Sequence, residues 1–179
     1  DSDFETSEPG VYAIGDVAAR TQLAHVAAAQ GTYVVEKIAG RPHSIKLEVV
    51  PNGMFVSLPI VPNCIYTDPE IATVGITEEI AKKYGLKVRC GHFSMRDNGK
   101  SIITGEEHGF IRLLFEAYSN TIVGAQMMCP RATDMIGEIA TAIANGLTAQ
   151  EMSFAMRAQP TYNEGIGAAI EDAMRQNPV

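Results

Sequence analysis

The chain has no tryptophan, only three cysteines and a deficit of basic residues, and each shortage removes a class of function. Cys64, Cys90 and Cys129 lie far apart and form no C-x-x-C or C-x₄-C pair. They encode neither a disulfide framework nor a dithiol redox centre, and suit small core hydrophobes in a reducing, cytoplasmic setting. Fourteen Lys and Arg against 21 Asp and Glu leave a net charge of -7. That balance offers no basic patch for phosphates, so nucleic acid and acidic membrane surfaces are poor candidates for partners. No apolar run reaches the roughly 18 residues of a membrane-spanning helix, and the first residues lack a signal-peptide pattern. No G-x-G-x-x-G follows a strand, and no metal site is expected.

What is present is enough apolar sequence for a core: 46% of 179 residues, sufficient for one domain or a domain with part of another. Val11 to Ile14 is a short apolar run ending at Gly15-Asp16, which predicts a buried strand delivering Asp16 at its carboxyl end. Residues Thr21 to Ala39 have helical spacing, with Thr21 as N-cap, Gly40 past the end and Pro42 beyond. From Glu48 the character changes. Glu48 to Ile60 is β-rich around Asn52-Gly53, a hairpin turn signal. Strands are expected at Cys64 to Tyr66, Ala72 to Gly75, Val88 to Met95, Phe110 to Phe115 and Ile122 to Met127. Thr77 caps a brief helix stopped by Gly85. Pro130 opens a long helix with the stripe Met135, Ile136, Ile139, Ala140 and Ile143, closed by Gly146. Thr148 with Glu151, and Thr161 with Glu164, read as capping boxes for two further helices. Strands first and helices after indicate an α+β fold, an antiparallel sheet with helices on one face. The expected division is a strand-helix remnant of a doubly wound domain over 1–42, a link with an added hairpin over 43–61 and a second domain over 62–179.

Val11-Tyr12-Ala13-Ile14-Gly15-Asp16-Val17 with Gln22-Leu23-Ala24-His25 resembles a flavin-contacting motif of the pyridine nucleotide-disulfide oxidoreductases. Val61-Pro62-Asn63-Cys64-Ile65-Tyr66-Thr67-Asp68-Pro69-Glu70-Ile71-Ala72-Thr73-Val74-Gly75 is similar to the start of that family's dimerisation domain, most of all in the dihydrolipoyl dehydrogenase group. The resemblance implies FAD and NAD(P) in the parent protein, a homodimer, and 2-oxo acid dehydrogenase complex components as further partners. It implies that Asp16 holds the ribityl chain, and that the helix start at Leu23, Ala24 and His25 faces the flavin ring. Independently, a carboxylate at the end of a parallel strand and a helix N-terminus are both places where such sheets bind polar ligands. The long helix and the sheet are expected to bury against a second copy. Since 1–40 is an incomplete unit, the chain is expected to be a piece of a longer enzyme, inactive alone and without retained cofactor.

The family's acid-base element is His-Pro-Thr followed by a glutamate. Here the matching run is Gln159-Pro160-Thr161-Tyr162-Asn163-Glu164, which keeps Glu164 but has Gln159 in place of the histidine. An imidazole with a pKa of about 6.5 can take and return a proton near neutral pH; a carboxamide has similar reach but does not titrate. Loss of a general base costs about 10²- to 10⁴-fold in rate. Glu164 then serves the helix cap, and a non-lipoamide oxidase or reductase, or a dimerisation module without catalysis, stands beside the lipoamide reaction. Tyr162, Asn163 and the long link over 43–60 are further departures from the lipoamide enzymes.

Overall fold

The computed structural model describes residues 3–18, 21–46, 48–49 and 58–176. They form two compact units, residues 1–47 and 48–179, a division that falls inside the expected link.

In the first unit the expected buried strand does not form. The run is extended, but it pairs only through an isolated antiparallel bridge from Glu5 to Tyr12, and Val11 and Ile14 are exposed. A parallel strand satisfies its backbone groups only on neighbouring strands, and the described residues of this unit supply none. The segment is pinned at Gly15 instead, where a φ of 70° accompanies donation of its N–H to Gln30 Oε1 at 2.8 Å. Helix α1 spans Ala24–Ile38. It starts two residues later than expected, with Leu23 at the N-cap and no side-chain cap from it, so Thr21 is not its cap. Its end matches the sequence: Gly40 has a φ of 62°, and Arg41 N–H donates to Glu36 O at 2.9 Å.

The second unit opens with β1 (Glu48–Val49) paired antiparallel to β2 (Leu58–Pro59); the Asn52-Gly53 turn lies outside the described residues. A five-stranded sheet follows, built from β3 (Asn63–Ile65), β4 (Ile71–Gly75), β5 (Val88–Ser94), β6 (Phe110–Glu116) and β7 (Ile122–Met128). The order is β3-β4-β7-β6-β5, with every pairing antiparallel. Its register sorts the side chains by face. Gly91, Leu113, Ala125 and Val74 align across four strands and are buried or nearly so. One residue along, His92, Arg112, Gln126, Thr73 and Asn63 form a polar row that stays partly open to solvent. This is the alternation of a sheet with one covered face.

The cover is helical. After α2 (Glu78–Lys83) and α3 (Gly99–Thr104) come α4 (Ala132–Ala144), α5 (Ala149–Ser153) and α6 (Glu164–Arg175). Helix α4 packs on β4 and β7, and α6 on β5 and β6. The apolar stripe of α4 is therefore buried largely on its own sheet. Pro130 does not open α4 either. Arg131 adopts a left-handed φ of 62° first, and the N-terminal turn is capped from outside by Glu70. Glu70 Oε2 accepts from Thr133 N–H at 2.9 Å and from its hydroxyl at 2.6 Å. The Thr148–Glu151 capping box forms as expected, with Glu151 N–H on Thr148 Oγ1 at 3.2 Å and Thr148 N–H on the Glu151 carboxylate at 2.8 Å.

Helix α3 was not anticipated. Asn98 caps it by accepting Ser101 N–H at 2.9 Å, and Gly105 ends it with a φ of 74°. Both signals are in the sequence, but six residues with glycine and adjacent isoleucines show no helical stripe.

The cysteines are structural. Burial pushes the Cys129 thiol up to about 12, with Glu70 adding to the effect, and burial also raises Cys64 and Cys90. The thiolate, the reactive form, is suppressed at all three.

Helix α6 approaches the sheet closely at Gly91, where a Cβ would stand 1.9 Å from the carbonyl oxygen of Ala169. No rotamer change relieves a clash with backbone. Gly91→Ala is expected to cost about 1–3 kcal/mol, the usual range for overpacking. Urea unfolding should show a lower midpoint at unchanged slope; an unchanged midpoint would contradict this packing.

Candidate functional site

Two groups of residues were singled out by sequence, one in each compact unit. In the first unit, Asp16 lies in a single 3₁₀ turn, Gly15–Val17, with its side chain exposed. Leu23, Ala24 and His25 come together as the N-cap and first turn of α1; Leu23 is half-buried, and Ala24 and His25 are exposed. One helix supports both features, because Gln30 on α1 holds Gly15 directly before Asp16. Leu23 at the N-cap supplies no side-chain hydrogen bond to the start of α1. An exposed carboxylate and a helix N-terminus are the kinds of group that suit the hydroxyl-bearing chain and electron-rich ring edge of a flavin nucleotide.

The second group is the segment leading into α6. Gln159 is exposed, as are Ala158 and Pro160, and the Gln159-Pro160 peptide is cis. Glu164 is half-buried at the first position of α6. Its carboxylate accepts Thr161 N–H at 2.9 Å, but the reciprocal half of the expected capping box is absent. Thr161 Oγ1 donates to Ala158 O at 2.6 Å instead, because the helix begins at Glu164 and leaves Thr161 two residues outside the cap. Glu164 thus fastens the turn that presents Gln159.

Further ties hold this segment. Arg157 Nη2 donates to Glu138 Oε1 on α4 at 2.6 Å, and Asn163 Nδ2 donates to Glu138 Oε2 at 3.3 Å. On the other side, Asn98 Nδ2 at the head of α3 donates to Thr161 O at 3.1 Å. Tyr162 Oη donates to Glu106 Oε2 at 2.5 Å and lies 2.9 Å from Thr104 Oγ1. Glu164, Arg157 and Asn98 line a cavity of about 420 Å³ together with Phe93, Asp97 and Glu171. Pro160, Thr161 and Tyr162 line a second, of about 840 Å³, with Glu106, Lys100 and Arg131.

The Tyr162–Glu106 pair does not replace an imidazole as an acid-base couple. The Tyr162 hydroxyl holds the Glu106 carboxyl below the usual carboxylate range, helped by Thr104. Burial, then Glu106, pushes the Tyr162 phenol up. A weakened base and a weakened acid both move away from neutral pH, where proton transfer would be efficient. The pair is a clasp. Sequence reasoning noted Tyr162 and Asn163 only as departures, and it missed Glu138, Glu106 and Asn98, whose partners lie 25, 56 and 63 positions away. Nothing in a local motif signals such distances.

A model of the pyridine nucleotide-disulphide oxidoreductase dimerisation domain matches residues 61–170. The dihydrolipoyl dehydrogenase of Chlorobaculum tepidum is 35% identical over 175 residues, covering 98% of this chain and 35% of that protein. The Bacillus subtilis dihydrolipoyl dehydrogenase is 38% identical over 166 residues, covering 92% of this chain and 33% of that protein. The chain spans about a third of the length of these relatives. Among solved structures, LpdA from Mycobacterium tuberculosis superposes with a TM-score of 0.83 at 27% identity, over 98% of this chain and 35% of that one. The flavoprotein disulfide reductase RclA from Escherichia coli, at 17% identity over 96% of this chain and 37% of that one, shares the fold with a TM-score of 0.79.

The clasp gives a test by pH. A carboxylate whose pKa is depressed by folding adds stability above its ordinary range, lost as pH falls through the lowered folded value. Glu106 is expected to titrate below an ordinary glutamate by carbon-detected NMR, and Tyr162→Phe to move it back up. An unmoved Glu106 titration in Tyr162→Phe would refute the clasp.

Proposed function

Because the chain belongs to the pyridine nucleotide-disulphide oxidoreductase family, whose dimerisation domain it carries, we propose that it forms the dimer-making, site-completing end of a flavoprotein. The parent enzyme is of the dihydrolipoyl dehydrogenase type, works with FAD and NAD(P) as a homodimer in the cytoplasm, and uses a reaction without imidazole proton transfer. The observation that carries this reading is Gln159. It stands exposed on a segment tied down on both sides, five residues before Glu164, and the Tyr162–Glu106 pair on that segment is tuned away from neutrality.

The residues divide the work. Asp16 accepts hydrogen bonds from the hydroxyl chain of the flavin nucleotide, and the start of α1 at Leu23, Ala24 and His25 meets the electron-rich edge of its ring. FAD, when bound, supplies the electron relay between the nicotinamide and the second substrate. Gln159 donates and accepts hydrogen bonds across the dimer interface but holds no exchangeable charge. Glu164, with no imidazole to orient, keeps the turn in place. This favours an acceptor whose reduction needs orientation more than a protein base, as in an oxidase or a metal reductase, over dihydrolipoamide. Docking to 2-oxo acid dehydrogenase components belongs to the lipoamide reading and weakens with it. Without a C-x₄-C pair the chain alone carries no electrons to a disulfide, and it serves there as a dimerisation module. With α4 committed to its own sheet, the surface for the second copy includes the loop before Gln159, where Met156 is 100% and Phe154 73% exposed.

In the full-length flavoprotein, Gln159→His is expected to raise dihydrolipoamide turnover by about tenfold or more, within the range a general base supplies. Ordinary dehydrogenase turnover by the natural protein, with no gain from Gln159→His, would overturn the reading.

A further inference from the structure

One carboxylate on α4 reaches both ends of the Gln159 segment. Glu138 Oε1 takes Arg157, two residues before Gln159, and Glu138 Oε2 takes Asn163, four residues after it. The Arg157 side chain is only 10% exposed, and its Nη1 also donates to Ala155 O at 3.2 Å. Its Nε has no partner among the described residues, so Glu138 is the one counter-charge the structure gives this buried cation. Inside the bracket the ties are local or run to the opposite side: Thr161 to Ala158 and Glu164, Asn98 to Thr161, and Tyr162 to Glu106 and Thr104. None of these fixes the bracket to α4.

We propose that Glu138 is the positioning residue of the Gln159 site, setting where that exposed segment is presented by tethering Arg157 and Asn163 to α4. It touches neither Gln159 nor any reacting atom; it acts through the two ends. The inference rests on the reading that Gln159 stands at the acid-base position of the family. A preorganised segment is what a side chain limited to hydrogen bonding requires, because such a group contributes only if held in the right geometry.

The test uses the chain as it is, by ¹⁵N relaxation of backbone amides. In the natural sequence the amides of Gln159 and Thr161 should show order parameters near those of α4, about 0.85. In Glu138→Ala they should fall below about 0.6, while the amide of Ile170 in the buried face of α6 stays as it was. Glu138→Ala also strands the Arg157 cation, so Glu138→Gln carries the same test with less risk to folding. A carboxamide offers one acceptor oxygen and sets an NH₂ against the second donor, so one tether is lost and the local order should drop part of the way. Unchanged order at Gln159 and Thr161 in a folded Glu138→Gln chain, or loss of order spread equally to Ile170, overturns the proposal. Turnover plays no part in this readout, so its failure is separable from failure of the Gln159→His experiment.

Discussion

Helix α6 sits so close to β5 that the carbonyl of Ala169 occupies the space a side chain at residue 91 would fill. From that seating the rest follows in order. It fixes the axis of α6, hence the position of Glu164 at its first turn, hence the turn at Thr161 that Glu164 fastens and that presents Gln159. Under α6 the sheet presents Gly91, Leu113, Ala125 and Val74 in one buried row across four strands.

Electrostatics completes what packing begins. The segment carries one charge at each end, Arg157 and Glu164, and both are used as fasteners. Arg157 is buried against Glu138, and an ion pair removed from water is held at its geometry because separating it strands a charge. Glu106, by contrast, is at the surface and holds Tyr162 through a hydrogen bond that weakens as acid protonates it. Two clamps of different strength on two sides of Gln159 make a platform stiff toward α4 and more yielding toward α3. The cysteines take no part, since burial keeps them protonated.

Much of this was legible in the residues. Every strand of the five-stranded sheet, the α2 cap at Thr77 and the Thr148–Glu151 box lie where turn residues and alternation put them, because those signals act within a few positions. The failures have a common cause. Val11 to Ile14 has the composition of a buried strand, but a strand is a property of pairs, and its partners are not among the described residues of that unit. Thr161 has the spacing of a capping residue, yet the chain enters α6 two residues later, and Thr161 Oγ1 finds Ala158 O instead. Pro130 has the look of a helix opener, but the left-handed turn at Arg131 and the distant Glu70 define the start of α4. Gln159, which we propose stands at the place of the family's base, is visible in the sequence; the ties of its segment are not, because Glu138 and Asn98 reach it only through the fold.

The pH dependence of dithiol-driven turnover by the full-length flavoprotein bears most directly on the absence of an imidazole from this site. With Gln159 in place, kcat/KM should pass through pH 6.5 without an ionisation step, since residues 157–164 contain no histidine, whose usual pKa is about 6.5. A clear limb centred near that pH, at rates ordinary for a dihydrolipoyl dehydrogenase, would show that a base operates after all and would contradict the assignment.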